Sequence, residues 1–162
     1  MILKKVQTIV TISSDSSTED TLYAELRIAA AEAAHKAYAP YSKFRVGAAV
    51  RLSNGKIITG NNQENAAYPS GLCAERVTLF YANAQYPTEI VTHIMIYAET
   101  DEGVLKQPIT PCGACRQVII EKENVQGQPI EICLAGAETT YILKSAQELM
   151  PLSFVPDSLN NA

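Results

Sequence analysis

Cys73-Ala74-Glu75-Arg76 and Pro111-Cys112-Gly113-Ala114-Cys115 hold the side chains of this sequence best suited to chemistry. Together they offer three thiols and a carboxylate. Cys112 and Cys115 are three residues apart, which on a helix separates them by roughly 60° around the axis, so both can face one ion. Cys73 and Glu75 are two apart, roughly 200° around a helix. That pair can serve one site only from a first turn, where both side chains reach over the helix end; Ser70-Gly71 just upstream fits such a start. The spacing therefore predicts two helix N-termini converging on one zinc ion. Each terminus brings unpaired N–H groups and a partial positive charge, which favour thiolate over thiol. Three thiolates leave a tetrahedral zinc one open position, where a water is made acidic. Glu75, the nearby carboxylate, need not be a ligand.

Zinc with three thiolates has a net charge of about −1, which opposes the acidification of water. Arg76 is placed to hydrogen-bond the sulfurs and withdraw electron density, a role exerted through the ligands; its alternative is a surface ion pair. For the cysteines the alternative is a closed structural site with Cys133 as a fourth sulfur, because a C-x-x-C alone is only moderately specific. Cys133 sits in the middle of Ile130-Glu131-Ile132-Cys133-Leu134, where a buried strand holds cysteine as a small hydrophobe. His35, inside a helical stretch, and His93, at a strand start, are read as surface or packing residues.

The elements that must carry these groups follow from the pattern. With 162 residues the chain can build one domain around one sizeable core. Residues 4–12 alternate as a strand, an edge strand or an arm on a neighbouring subunit. Ser16-Ser17-Thr18-Glu19 reads as a capping box for a helix over residues 17–38, with Leu22, Leu26, Ala29, Ala33 and Ala37 as its apolar stripe and Pro40 as its stop. Strands at 44–52 and 56–62 flank an Asn54-Gly55 hairpin turn. A helix over 73–85, a strand over 91–98, a helix from Thr110 (N-cap) and Pro111 (first position) to about residue 123, strands at 130–134 and 140–143, and a short helix at 145–149 complete the order. The organisation expected is an N-terminal arm and linker over 1–20, a catalytic domain over 21–156 and a tail over 157–162. Helices between strands in this order predict an α/β fold.

The formal net charge of −4 weighs against a nucleic-acid polymer as partner. No apolar run is long enough to cross a bilayer, and the first residues make a poor signal peptide. A cytoplasmic protein with reduced thiols is the expectation, which favours metal or catalysis over disulfides.

These residues together resemble the cytidine deaminase family, in its small homotetrameric branch. The zinc deaminases share three His/Cys ligands, a non-ligand glutamate and an H-x-E…P-C-x-x-C signature; here Cys73-Ala74-Glu75 stands where the wider class often has His-x-Glu. Ala39-Pro40-Tyr41-Ser42-Lys43-Phe44-Arg45-Val46-Gly47-Ala48-Ala49, Asn62-Gln63-Glu64-Asn65-Ala66-Ala67-Tyr68-Pro69 and Leu149-Met150-Pro151-Leu152-Ser153-Phe154 are similar to further family segments. The resemblance runs from about Leu22 to Phe154 and leaves the first 20 residues outside it. It implies a three-layer α-β-α sandwich with a mixed five-stranded sheet. It also implies hydrolytic deamination of free cytidine and 2′-deoxycytidine to uridine and 2′-deoxyuridine in pyrimidine salvage, with Zn2+ on Cys73, Cys112 and Cys115 and Glu75 shuttling protons. Asn62 and Glu64 are then expected to grip the ribose 3′-hydroxyl, Phe44 to stack near the pyrimidine and Ala66 to contact the base through its backbone. Tyr68 and Phe154 are expected to reach into a neighbouring subunit's site. A carboxylate at Glu64 would repel a 3′-phosphate, so a free nucleoside is expected and not a polynucleotide.

Overall fold

In the computed structural model, residues 6–13 and 21–160 are described. The chain runs β1 (Thr11–Ser13), α1 (Thr21–Ala34), β2 (Arg45–Leu52), β3 (Ile57–Asn61), a 3-10 turn (Tyr68–Ser70), α2 (Ala74–Gln85), β4 (Val91–Thr100), β5 (Gly103–Val104), α3 (Gly113–Gln126), β6 (Glu131–Ala135), β7 (Thr140–Leu143), a second 3-10 turn (Ala146–Glu148) and α4 (Asp157–Asn160). The sheet order is β1-β7-β6-β4-β2-β3, with β5 on the end of β4. Only β4 and β6 pair in parallel; the other pairs are antiparallel, so the sheet is mixed. The five strands expected form its body, and among the described residues two short ones bring the total to seven.

The central strands are buried on both faces, and their side chains sort by parity. Ala48, Val50, Ile94, Ile96, Ile132 and Leu134 meet Leu79 of α2 and Ile119 and Ile120 of α3 in one cluster. Ala49, Met95, Tyr97, Cys133 and Ala135 meet Leu26, Ala30 and Ala34 of α1 in the other. Period two along a strand gives this division, and the result is a helix layer on each side of the sheet.

Several boundaries differ from the sequence reading. β1 covers only Thr11–Ser13, because three residues pair with β7. The capping box at Ser16-Ser17-Thr18-Glu19 lies outside the described residues. Among the described residues, α1 ends at Ala34, and its buried stripe is Leu26, Ala30, Ala33 and Ala34, not one ending at Ala37. The reason is the close approach of β2. A Cβ on Gly47 would stand 1.9 Å from the Ala30 carbonyl oxygen and 2.6 Å from the Ala34 nitrogen. Gly47→Ala would therefore push helix from sheet and is expected to cost about 3 kcal/mol. Urea unfolding checks it; an unchanged midpoint would refute the close contact.

Behind the site, α3 is anchored by a buried carboxylate. Glu123 accepts the N–H groups of Ile130 (2.7 Å) and Ala146 (2.8 Å) and the Ser145 hydroxyl (2.9 Å). Three charge-assisted bonds satisfy a group that would be costly to bury unpaired. They tie the end of α3 to the start of β6 and to the turn that stands where a short helix at 145–149 was expected.

Candidate metal centre and adjoining cavity

Cysteine stands at the N-cap of both helices that face the α2–α3 side of the sheet. Cys73 caps α2 with φ −72° and ψ 154°, and Cys112 caps α3 with φ −66° and ψ 166°. Neither side chain is used to cap its own helix, so both sulfurs are available to a ligand. This corrects the expected start of α3: Cys112 is the N-cap in place of Thr110, and Pro111 precedes the helix. Pro111 is fixed there by Arg116, which donates from Nε to the Pro111 carbonyl (2.8 Å) and from Nη2 to Thr110 Oγ1 (3.1 Å).

Cys115 then falls in the first turn of α3, and Glu75 and Arg76 in the first turn of α2. Cys73 Sγ lies 3.8 Å from Cys112 Sγ, which is 3.4 Å from Cys115 Sγ; all three lie within 4.8 Å of one another. A tetrahedral zinc with Zn–S bonds of about 2.3 Å sets its sulfurs about 3.8 Å apart. The donor set and its spacing fit that ion. Cys133 packs in the cluster with α1, across the sheet, and is not part of the trio.

Electrostatics favour thiolate at Cys73. The Cys73 thiol is held down to about 5 by the hydrogen bond from Cys115 and, against its burial, by Arg76. The same contact with Cys73, together with burial, pushes Cys115 up. Arg76 Nη2 lies 3.8 Å from Cys73 Sγ, and Arg76 Nε is buried without a hydrogen-bond partner among the described residues. The guanidinium, whose Nη2 faces Cys73, is placed to offset anionic charge on that sulfur. Glu75 is 4 % exposed, and burial raises its carboxyl above the usual range. A proton carrier near neutral pH needs a shift in that direction.

A cavity of about 540 Å³ opens beside Cys73 and Arg76, and Asn62, Glu64 and Tyr68 also line it. Of the expected nucleoside contacts, these three share the cavity with Cys73. Phe44 packs half-buried against the larger core cluster, Ala66 is exposed, and Phe154 is 59 % exposed; none of these is in the cavity wall. The C-terminal segment is nonetheless fastened to α3, since Gln117 Nε2 donates to the Phe154 carbonyl (2.8 Å) and Arg116 Nη1 to that of Leu149 (2.8 Å). Sequence reasoning missed Tyr41, Ser42, Gln63 and Leu72, which line the same cavity. Tyr41 and Ser42 lie in the 39–49 segment, so the segment was visible but not the direction of its side chains.

Comparison with known proteins agrees with this geometry. Residues 20–126 match the family described as the cytidine and deoxycytidylate deaminase zinc-binding region. A cytidine deaminase of Halalkalibacterium halodurans is 37 % identical over 141 residues, covering 82 % of this chain and 93 % of the relative. One from Sporosarcina psychrophila is 46 % identical over 133 residues, covering 81 % and 90 %. The crystal structure of cytidine deaminase from Burkholderia pseudomallei superposes with a TM-score of 0.68 at 41 % identity, covering 81 % of this chain and 98 % of that one. That from Mycobacterium tuberculosis gives 0.65 at 30 % identity, covering 83 % and 98 %. Two cysteine-capped helices closing three sulfurs beside a buried glutamate, together with this likeness over most of the domain, establish that the chain belongs to the cytidine deaminase family of zinc-dependent hydrolases.

Proposed function

We propose that the chain deaminates free cytidine and 2′-deoxycytidine hydrolytically, giving uridine or 2′-deoxyuridine and ammonia. The observation that carries this is one cavity lined by both Cys73, a member of the three-sulfur cluster, and Glu64, with buried Glu75 close to Cys115 and Cys73. Cys73, Cys112 and Cys115 are the residues that would hold zinc. When bound there, zinc supplies the Lewis acidity that makes water a nucleophile near neutral pH. Glu75 takes a proton from the water and delivers it to ring nitrogen N3. As the C–O bond forms at the carbon bearing the amino group, the same carboxylate carries a second proton to that group. The C–N bond breaks, ammonia leaves, and Glu75 ends as it began. Arg76 faces the sulfurs and offsets part of their charge.

Asn62 and Glu64 bind the ribose 3′-hydroxyl in this reading, and the −4 net charge supports a free nucleoside over a polynucleotide. Phe44 and Ala66 serve the base. Tyr68 and Phe154 are 78 % and 59 % exposed, and Tyr68 lines the cavity. Their exposure supports a homotetramer in which they complete neighbouring sites. No helix among the described residues is long and apolar enough to cross a membrane. A cytoplasmic role in pyrimidine salvage is part of the same proposal and would fall if cell fractionation placed the chain elsewhere.

Zinc-loaded protein should release one ammonia per cytidine or 2′-deoxycytidine, with loss of the cytosine absorbance, and leave cytosines in a single-stranded oligonucleotide intact. The same preparation should have roughly four times the 17.6 kDa chain mass. No ammonia from either nucleoside, or faster release from the oligonucleotide, would overturn the substrate; a monomer's mass would overturn the shared site.

A further inference from the structure

Glu64 is held in the cavity wall by its neighbours. Its Oε2 accepts the main-chain N–H groups of Tyr41 (2.9 Å) and Ser42 (3.3 Å), and its Oε1 accepts the Ser42 hydroxyl. A carboxylate accepts about four hydrogen bonds. Three are therefore taken from within the chain, and the direction left for a ligand is set by those three.

The Ser42 hydroxyl is itself oriented. Its oxygen accepts the N–H of Phe44 at 3.0 Å, so its own proton is turned toward the carboxylate. The Phe44 carbonyl accepts from Asn62 Nδ2 (2.9 Å), while Asn62 Oδ1 accepts the Val46 N–H (2.8 Å). Between Ser42 and Phe44, Lys43 has a φ of 58°. A lysine in the left-handed region is disfavoured and persists where its surroundings fix it. Residues 42, 44, 62 and 64 thus form a chain of hydrogen bonds, passing through the main chain of Phe44, that joins both residues read as ribose contacts to the one read as stacking on the base.

We infer that Ser42 is a positioning residue, whose hydroxyl fixes the Glu64 carboxylate in the orientation that receives the ribose 3′-hydroxyl. The inference rests on reading Glu64 as the ribose contact. The O–H···O⁻ bond is charge-assisted, stronger than a neutral one. The same contact, ahead of the N–H of Tyr41, holds the Glu64 carboxyl below its usual range, so Glu64 stays ionised as an acceptor for a ligand hydroxyl.

The test compares cytidine with 3′-deoxycytidine on zinc-loaded parent, Ser42→Ala and Ser42→Thr. The parent should prefer cytidine in kcat/KM. Ser42→Ala should lose roughly tenfold of that preference, mainly through KM, and Ser42→Thr, which keeps the donor, should regain most of it. The ratio is taken within one preparation, so partial misfolding cancels, and a purely structural role would slow both substrates alike. A parent that prefers cytidine with Ser42→Ala keeping the full preference, or Ser42→Thr as defective as Ser42→Ala, overturns the role of Ser42 alone. A parent that does not distinguish the two nucleosides overturns the ribose reading of Glu64 and the role of Ser42 with it.

Discussion

Glu75→Gln is expected to fold, to retain its metal and to turn cytidine over about 10⁴-fold more slowly, the upper end of what a positioned acid–base group supplies. The size follows from one carboxylate serving several transfers in succession. Glutamine fills the same space at the first turn of α2, so the sulfurs on either side need not move. It can neither take a proton from water nor return one. Folding should be little affected: a carboxylate near a helix N-terminus contributes about 0.3–1 kcal/mol, and the glutamine is spared the cost of burying a charge. Zinc content by atomic absorption, kcat with cytidine and the melting temperature should therefore separate. Metal and melting temperature stay near the parent's while kcat collapses. Activity within tenfold of the parent's would remove Glu75 from the mechanism, and loss of metal would make it a ligand.

The clustering of the three sulfurs was legible in the sequence because its spacing has few physical solutions. Cys73 and Glu75 cannot face one ion from the middle of a helix, so the helix had to begin there, and α2 begins at Ala74. Cys112 and Cys115 can share an ion from a helix or from its edge, and that freedom let the start of α3 be placed two residues early. Proline suits the first helical position and equally the extended segment before a cap. What decides is Arg116, whose bonds to Pro111 and Thr110 hold that dipeptide outside the helix. The sheet body was legible from its apolar runs, because strands buried on both faces leave long ones. The pairing of β1 with β7 and the bonds from Tyr41 and Ser42 to Glu64 were not. They join segments 22 or more residues apart, and nothing in either segment names its partner. Lys43 at positive φ hides the turn further, since no glycine or asparagine marks it.

Removing the metal should abolish turnover, and the cysteines should differ sharply in what their loss does. Three sulfurs within 4.8 Å of one another repel as thiolates unless a cation lies among them. Chelation should therefore lower the melting temperature as well as activity, by mass action on the folded form, and added zinc should restore both. Cys115 is fully buried with its sulfur 3.4 Å from that of Cys112, so Cys115→Ser should lose its zinc on dialysis, with turnover below about 1 % of the parent's. Cys133→Ala should keep one zinc per chain, because Cys133 packs against α1 on the other face of the sheet; only the small cavity, about 1 kcal/mol, should register. Arg76→Gln falls between them. It leaves every sulfur in place but withdraws the guanidinium that faces Cys73, and a partner of that kind tunes metal affinity or activity by about 10–100-fold. Metal content and kcat measured on all three variants divide the possibilities. Zinc retained by Cys115→Ser, or lost by Cys133→Ala, would mean that the ion is held by a different set of sulfurs. An Arg76→Gln protein unchanged in both affinity and turnover would show that its charge acts on neither.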